Sequence, residues 1–286
     1  MRRAVETVNR AEMINAMSID LEDWFCVHNL SQAIRREDWD RCELRVHEST
    51  TRLLDLLDRH STRATFFVLG WVAKRLPELI REVERRGHEI AAHGYNHLLL
   101  TEITPQEFEE DISRSLDALA ACGIEQRPSG FRAPSFTIVE KTRGWALETL
   151  EKYGFEYDSS VFPVGFHPDY GIPDAPLGPY RITDRIIEFP LSCLELFGKR
   201  LPFSGGGYFR LFPYAYTRYC IKRCNALGRP VVFYLHPWEI DTGQPKVKLS
   251  RSKEFRHYCN LDKTEQRLDA LLSEFRFATM KEVLGL

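Results

Sequence analysis

The sequence predicts one α/β barrel-like domain, on three observations. Short apolar runs alternate with amphipathic stretches along the chain. No linker, internal repeat or low-complexity segment interrupts them. Each group of residues suited to chemistry falls just after an apolar run, where a barrel of parallel strands opens its active site. A chain of 286 residues with 43% hydrophobic residues can fill one core of that size.

The elements follow in order. Ile14 to Ile19 is a β-capable run ending in Asp20, Glu22 and Asp23. Residues 27–45 read as an irregular loop. Leu53, Leu54, Leu56 and Leu57 give helical periodicity from about Thr50 to Arg59. Arg63 to Leu69 is a buried strand closed by Gly70. Leu76 to Arg86 is a helix with Pro77 in its first turn and Gly87 at its stop. A short strand from His88 to Ala92 runs into His93, and His88 is read as structural. Thr104-Pro-Gln-Glu107 is a capping-box start for a helix to about Cys122. A strand-end loop begins at Phe131, and Lys141 to Tyr153 is a helix. Phe155 to Asp158 and Ile186 to Phe189 are strand-like, around a Pro- and Gly-rich loop at 162–180. Gly205 to Gly207 read as a flexible turn. Tyr214 to Leu227 is a helix, and Pro230 to Leu235 is a strand ending at His236. A polar loop at 242–257 precedes a helix from Asp262 to Phe275, and Phe277 to Leu284 closes the domain. Residues 1–286 are thus read as one domain, with the chemistry-bearing core at about 14–240 and a helical extension at about 241–286.

Composition excludes some functions. A net charge of −2 with dispersed basic residues gives no reason to expect nucleic acid or an acidic membrane as partner. The opening ten residues have no apolar core after Arg2 and Arg3, unlike a signal peptide, and no run reaches the ~20 apolar residues of a membrane span. A cytoplasmic location is the expectation. Seven scattered cysteines, with Cys220 and Cys224 the one close pair, read as reduced structural thiols.

The acids after the first strand carry the first chemical signal. Three carboxylates crowded at a buried strand end repel one another unless a cation sits among them. A metal ion satisfies that, with one acid left as a base. The bland alternative is an exposed acidic turn. His93 and His97 form a His-x3-His pair, which on one helical turn would face a single ion and, with a carboxylate, leave a position for water. Arg132, in Phe131-Arg-Ala-Pro134, is suited to pair with Asp20. Asp158 lies at another strand end. His236 follows the most convincing strand of the chain and stands near Glu239, which makes it a candidate general acid.

Taken in order, these stations (the acidic strand end, Thr65–Gly70, Gly87-His-Glu-Ile through His93-x3-His97, Phe131–Pro134, Tyr157–Ser160 and Leu235-His-Pro237) resemble the polysaccharide deacetylases of carbohydrate esterase family 4. The resemblance covers about residues 14–240. Ser18–Asp23, Gly206–Pro213 and His236–Asp241 resemble a narrower subgroup found with exosortase-associated exopolysaccharide loci.

The resemblance implies an α/β fold, a single distorted (β/α)7 barrel, and a divalent metal held by Asp-His-His. Zinc is the usual ion, with cobalt, nickel, iron or manganese as alternatives. It implies Asp20 as catalytic base, His93 and His97 as metal ligands, and Arg132 as the residue positioning the base. It makes His236 the general acid, Asp158 the acid tuning it, and Ser135 the residue whose backbone N–H helps hold the oxyanion. The family's usual pair of adjacent aspartates is here Asp20 and Leu21, then Glu22 and Asp23, so the metal carboxylate is open. Asp23 is preferred, with Glu22 close behind. Ser135 stands where a Tyr is usual.

The activity implied is metal-assisted removal of N-acetyl groups from an N-acetylhexosamine glycan or its lipid-linked precursor, releasing acetate. Association with exopolysaccharide-synthesis machinery goes with the subgroup. Trp24, Phe136, Tyr208, Phe209 and Trp238 are suited to stack on sugars, with core packing favoured for Phe209, and Leu235 flanks the acid in the same wall. The alternatives are an amidohydrolase of a non-sugar cyclic amide and a catalytically silent glycan-binding relative.

Overall fold

A computed structural model describes residues 13–165 and 170–286. The N-terminal stretch read as unlike a signal peptide lies outside the described residues.

Strand β1 (Ile14–Leu21) is buried on both faces, as a strand of unbroken apolar character should be. Its parity assigns the faces. Met17, Ile19 and Leu21 join the larger apolar core, while Ala16 belongs to a second, smaller cluster with Phe67, Tyr157 and Val232. Ser18 and Asp20 share the parity of Ala16, so Asp20 faces the inside of the curl.

Helix α1 (Val46–Arg59) begins four residues before its leucine periodicity announces it. It is followed by β2 (Thr65–Val68), the six-residue α2 (Gly70–Arg75) and α3 (Pro77–Arg85). Gly70, expected to close a strand, starts α2 instead. Next come β3 (Glu89–Ala92) and α4 (Pro105–Ala121), the latter opened by the expected capping box of Thr104 and Glu107. β4 (Gly130–Phe131), α5 (Arg143–Lys152), β5 (Tyr157–Asp158), β6 (Tyr180–Arg181) and β7 (Ile187–Glu188) continue the alternation with very short strands. A hairpin of β8 (Cys193–Leu196) and β9 (Lys199–Pro202) was not foreseen. Helix α6 (Gly206–Leu211) replaces the expected flexible turn, and α7 (Tyr214–Ala226) leads into β10 (Val232–Leu235). The expected polar loop contains helix α8 (Arg251–Tyr258). Its one buried side chain is His257, so it carries no apolar periodicity to betray it. The chain closes with α9 (Leu261–Glu274), β11 (Arg276–Ala278) and α10 (Met280–Leu284).

Among the described residues, nine strands form one sheet in the order β10-β1-β2-β3-β4-β5-β7-β6, with β11 also paired to β1. All pairs are parallel except β6 with β7. The sheet curls into a half-barrel of the distorted (β/α)7 type. The C-terminal segment is not merely a helical extension. β11 pairs with Ile14–Ala16, and the backbone N–H of Met280 donates to the Thr65 hydroxyl at the N-terminal end of β2. No helix among the described residues is long and apolar enough to cross a membrane.

His88 is buried between α3 and β3, and its Nδ1 accepts the Ala64 backbone N–H at 3.2 Å. Burial lowers its pKa from 6.5 to about 4. A folded-state pKa below the unfolded value means the unfolded chain takes up the proton first. Stability from this residue is therefore full above pH 6.5 and is lost as pH falls toward 4. H88N keeps an acceptor and removes the titration. In urea unfolding at pH 7 and pH 4.5, the native protein should lose on the order of 2–3 kcal/mol more than H88N does. Equal losses would show that His88 does not titrate with folding.

Candidate active site

Arg132 follows β4 and is fully buried. Its Nη1 donates to Asp20 Oδ1 at 2.5 Å and to the Ser18 hydroxyl at 3.0 Å, and its remaining nitrogens reach the carbonyl and hydroxyl of Ser159. The guanidinium lies 4.1 Å from the centre of the Phe67 ring. Four of its five N–H donors are thus engaged, as a buried guanidinium requires of most of them. One carboxylate oxygen of Asp20 is engaged, and Oδ2 is turned toward His236, 3.8 Å from its Nε2.

His93 and His97 do not sit on a helical turn. They lie in the loop after β3, where Asp111 of α4 accepts the backbone N–H groups of Tyr95 and Asn96 at 2.7 and 3.0 Å. Gly94 has a φ of 69°, and a Cβ there would meet Asp111 Oδ2 at 2.6 Å, so the loop needs glycine at that point. His97 itself holds a φ of 54°, an uncommon conformation for a non-glycine residue. The two rings end 5.5 Å apart.

Glu22 completes the group. One ligand atom from each of Glu22, His93 and His97 falls within 4.8 Å of the other two, and all three residues are buried. Three features fit a divalent cation. His93 Nδ1 faces the Arg132 carbonyl at 2.8 Å, so it carries the proton and leaves Nε2 with a free lone pair. Burial lowers the pKa of His93 to about 4 and drives that of His97 well below 6.5, so both rings are neutral donors. Among the described residues, Glu22 Oε2 is buried with no hydrogen-bond partner, although His97 Nε2 is 3.1 Å away. Burial lifts the Glu22 pKa to about 8 despite the opposing His236 charge. An orphaned buried carboxylate against two neutral imidazoles is a donor set that suits zinc and its neighbours.

His236 follows β10. Its Nδ1 meets Glu239 Oε2 at 2.8 Å, and the same oxygen accepts the His236 backbone N–H. The other oxygen of Glu239 accepts from Arg210 Nε at 2.7 Å, and Arg210 is tied to the His257 carbonyl. Burial opposes a charged His236 ring. Glu239 first, then Glu22 and Asp20, outweigh it and lift the pKa to about 9. Trp238 stacks on His236 at 5.2 Å and on His257 at 4.5 Å. Glu239 was legible as the third helical residue of a turn opened by Pro237. Arg210 had no signal in the sequence.

Other expected site residues stand elsewhere. Asp23 does not join the imidazoles. Its carboxylate accepts the backbone N–H groups of Trp24, Arg45 and Val46 at 2.8 to 3.0 Å, which caps α1 from outside and explains that helix's early start. Asp158 is bound by the Ser160 hydroxyl and adjoins Glu188, so Glu239 and not Asp158 holds His236. Trp24 packs on Phe25 and donates its indole N–H to the Glu43 carbonyl. Leu235 is buried beside Ile19 in the sheet, and Phe209 packs on Phe233. Trp238 stacks on both His236 and His257 and also lines the cleft.

A cleft of about 400 Å³ opens above Asp20, Glu22, His93, His97 and His236, with Ser135, Phe136 and Tyr208 in its walls as expected and Tyr170 and Tyr234 beside them. Ser135 and Phe136 both have positive φ, near 52° and 57°. The run Gly205–Gly207 is explained here. A Cβ on Gly205 would lie 1.8 Å from the Tyr234 carbonyl oxygen.

A curled α/β sheet that gathers two imidazoles and a carboxylate beside an opposed Asp–His pair defines a barrel hydrolase with a metal-type site. Residues 38–157 match a family model described as "Polysaccharide deacetylase". Residues 159–285 match a second model, described as a domain of unknown function (DUF3473), which contains the Gly206–Pro213 and His236–Asp241 runs. A peptidoglycan-N-acetylglucosamine deacetylase of Bacillus cereus is 32% identical over 101 residues, covering 35% of this chain and 36% of that protein. A chitooligosaccharide deacetylase of a Bradyrhizobium species is 35% identical over 85 residues, covering 30% of this chain and 39% of that protein. The chain thus spans about a third of the length of the curated relatives it matches. Among solved structures, a putative polysaccharide deacetylase from Mycobacterium smegmatis aligns over 95% of this chain and 90% of its own, with a TM-score of 0.60 at 22% identity. A peptidoglycan deacetylase from Bacillus subtilis aligns over 96% and 91%, with a TM-score of 0.51 at 14% identity. Both share the fold.

D23A tests the cap. It should orphan three backbone donors and cost about 1–3 kcal/mol in denaturant unfolding. Unchanged stability together with a lost metal would return Asp23 to the ligands.

Proposed function

We propose that the protein is a metal-dependent N-deacetylase that hydrolyses N-acetyl groups of an N-acetylhexosamine-containing glycan, or of its lipid-linked precursor, and releases acetate. The observation that carries this reading is the opposition of Asp20 and His236 beside the donor set of Glu22, His93 and His97. The relatives named for deacetylation of peptidoglycan N-acetylglucosamine and of chitooligosaccharides support N-acetylglucosamine as the reacting sugar.

Glu22, His93 and His97 would hold the ion, with zinc favoured by the two imidazoles. A divalent cation there supplies Lewis acidity toward the acetyl carbonyl. The chain's own groups do the rest. Arg132 pairs with Asp20 and fixes one of its oxygens, leaving the other to take the proton of the attacking water. Ser135 lines the cleft, and its backbone N–H would be the donor to the developing oxyanion. Glu239 holds His236 through Nδ1, so Nε2 presents a proton to the departing amine. The water oxygen bonds to the acetyl carbon, and collapse of the tetrahedral adduct, with the His236 proton passing to nitrogen, breaks the amide C–N bond to give acetate and a free amino sugar.

Acetate release from chitotetraose by the purified protein tests this reading, with and without chelator and added zinc. Release should stop on chelation and return with zinc. D20N should retain the metal and lose about 10²–10⁴ in turnover, whereas E22Q should lose the metal itself. Release that persists in metal-free protein would overturn the metal dependence. Full turnover by D20N would overturn its role as base. E239Q should lower kcat by about 10-fold or more with little change in KM, because it loosens the acid without touching the sugar.

A further inference from the structure

One segment departs from the near-neutral charge of the chain. Residues 245–258 hold Lys246, Lys248, Arg251, Lys253 and Arg256 against Glu254 as the only acid, in a protein of net charge −2. Such a run is ordinarily a solvated face. Its position here says more. α8 packs against α6, and Arg256 lines the same cleft as Asp20, Glu22 and His236. Lys246, Lys248, Arg251 and Arg256 are exposed, and among the described residues none of them makes a side-chain hydrogen bond or ion pair. The cleft's acids are confined to its floor, where Asp20 is matched by Arg132, and Glu239 by Arg210. Between floor and rim stand the aromatic walls, Phe136, Tyr170, Tyr208 and Tyr234. The charge of Arg256 reaches the Tyr208 hydroxyl, where it works against the rise that burial causes.

We infer that the substrate is an acidic glycan, carrying carboxylate or phosphate groups on the sugars flanking the one that is deacetylated, with Arg256 as the specificity-determining residue at the mouth and the rim lysines and Arg251 following the chain outward. The inference rests on the deacetylase reading and deepens it. A guanidinium matches carboxylate and phosphate geometry in a way that a neutral sugar cannot use. Single rim pairs contribute little, but several cations of one sign raise the local concentration of an anionic chain and its rate of arrival. The same run, with exposed Phe255 on α8, would also suit an anionic lipid surface. The glycan is favoured because Arg256 lines the cleft itself.

The test is binding of the full chain by calorimetry at low and high salt, about 0.05 and 0.5 M. The probes are neutral chitotetraose, a hyaluronan tetrasaccharide with alternating hexuronic acid, and N-acetylglucosamine 1-phosphate for the phosphate source. At least one acidic probe should bind about tenfold more tightly than its neutral counterpart, chitotetraose or N-acetylglucosamine, at low salt. High salt should largely erase the difference. R256Q should lose the preference and R256K should keep it. Equal binding of acidic and neutral probes would overturn the inference, as would a preference that survives R256Q. Binding to phosphatidylglycerol vesicles without any preference for acidic sugars would reassign the surface to lipid. Acetate release separates this from the function itself. Release from chitotetraose with no charge preference sinks the acidic-glycan inference alone. A charge preference without release from any oligomer sinks the deacetylase reading and leaves an acidic-glycan binder.

Discussion

The Arg132 guanidinium, buried among β1, β4 and β5, is the contact on which the site depends. It neutralises Asp20, satisfies Ser18, and grips both the carbonyl and hydroxyl of Ser159. Such a pair is costly to bury and costlier to break. Removing one partner from a buried ion pair leaves an uncompensated charge worth about 3–5 kcal/mol. The carboxylate of Asp20 is therefore buried together with its counter-charge. With one oxygen of Asp20 fixed, the other has one direction left, toward His236. A second guanidinium repeats the device from the opposite side, where Arg210 holds Glu239 and Glu239 holds His236.

Much of this was legible in the sequence because burial writes itself into residue type. The β1 run, the leucine stripe of α1, the capping box of Thr104 and the strand before His236 each carry a period or an end signal. The family resemblance ordered the stations and brought His93, His97, Arg132 and His236 together. What failed depended on contacts distant in sequence. Asp23 and Glu22 are both acids at a strand end, and only the position of Arg45 and Val46 makes one a helix cap and leaves the other to the imidazoles. Asp158 sits at the right strand end but faces Ser160 and Glu188. Helix α8 was hidden because it buries little.

The site draws on three stretches of the chain. His93, His97 and Arg132 fall within residues 38–157, which match the deacetylase model. His236, Glu239, Arg210 and Arg256 fall within residues 159–285, which match the domain of unknown function. Asp20 and Glu22 precede both. The second region therefore lines the same cleft as the first. It also completes one edge of the sheet, since β10 and β11 both lie against β1.

That pairing bears on the order in which the molecule is built. β1 is bonded to residues more than two hundred positions away, and the Val231 N–H reaches the Asn15 side chain across 216 residues. Contacts of such separation pay their loop-closure entropy late and slow the approach to the native state. One edge of β1 stays open until β10 and β11 arrive. In the folded chain that edge brings His236 to within 3.8 Å of Asp20 and 3.5 Å of Glu22, so the two buried carboxylates face a histidine supplied by the far end of the sequence.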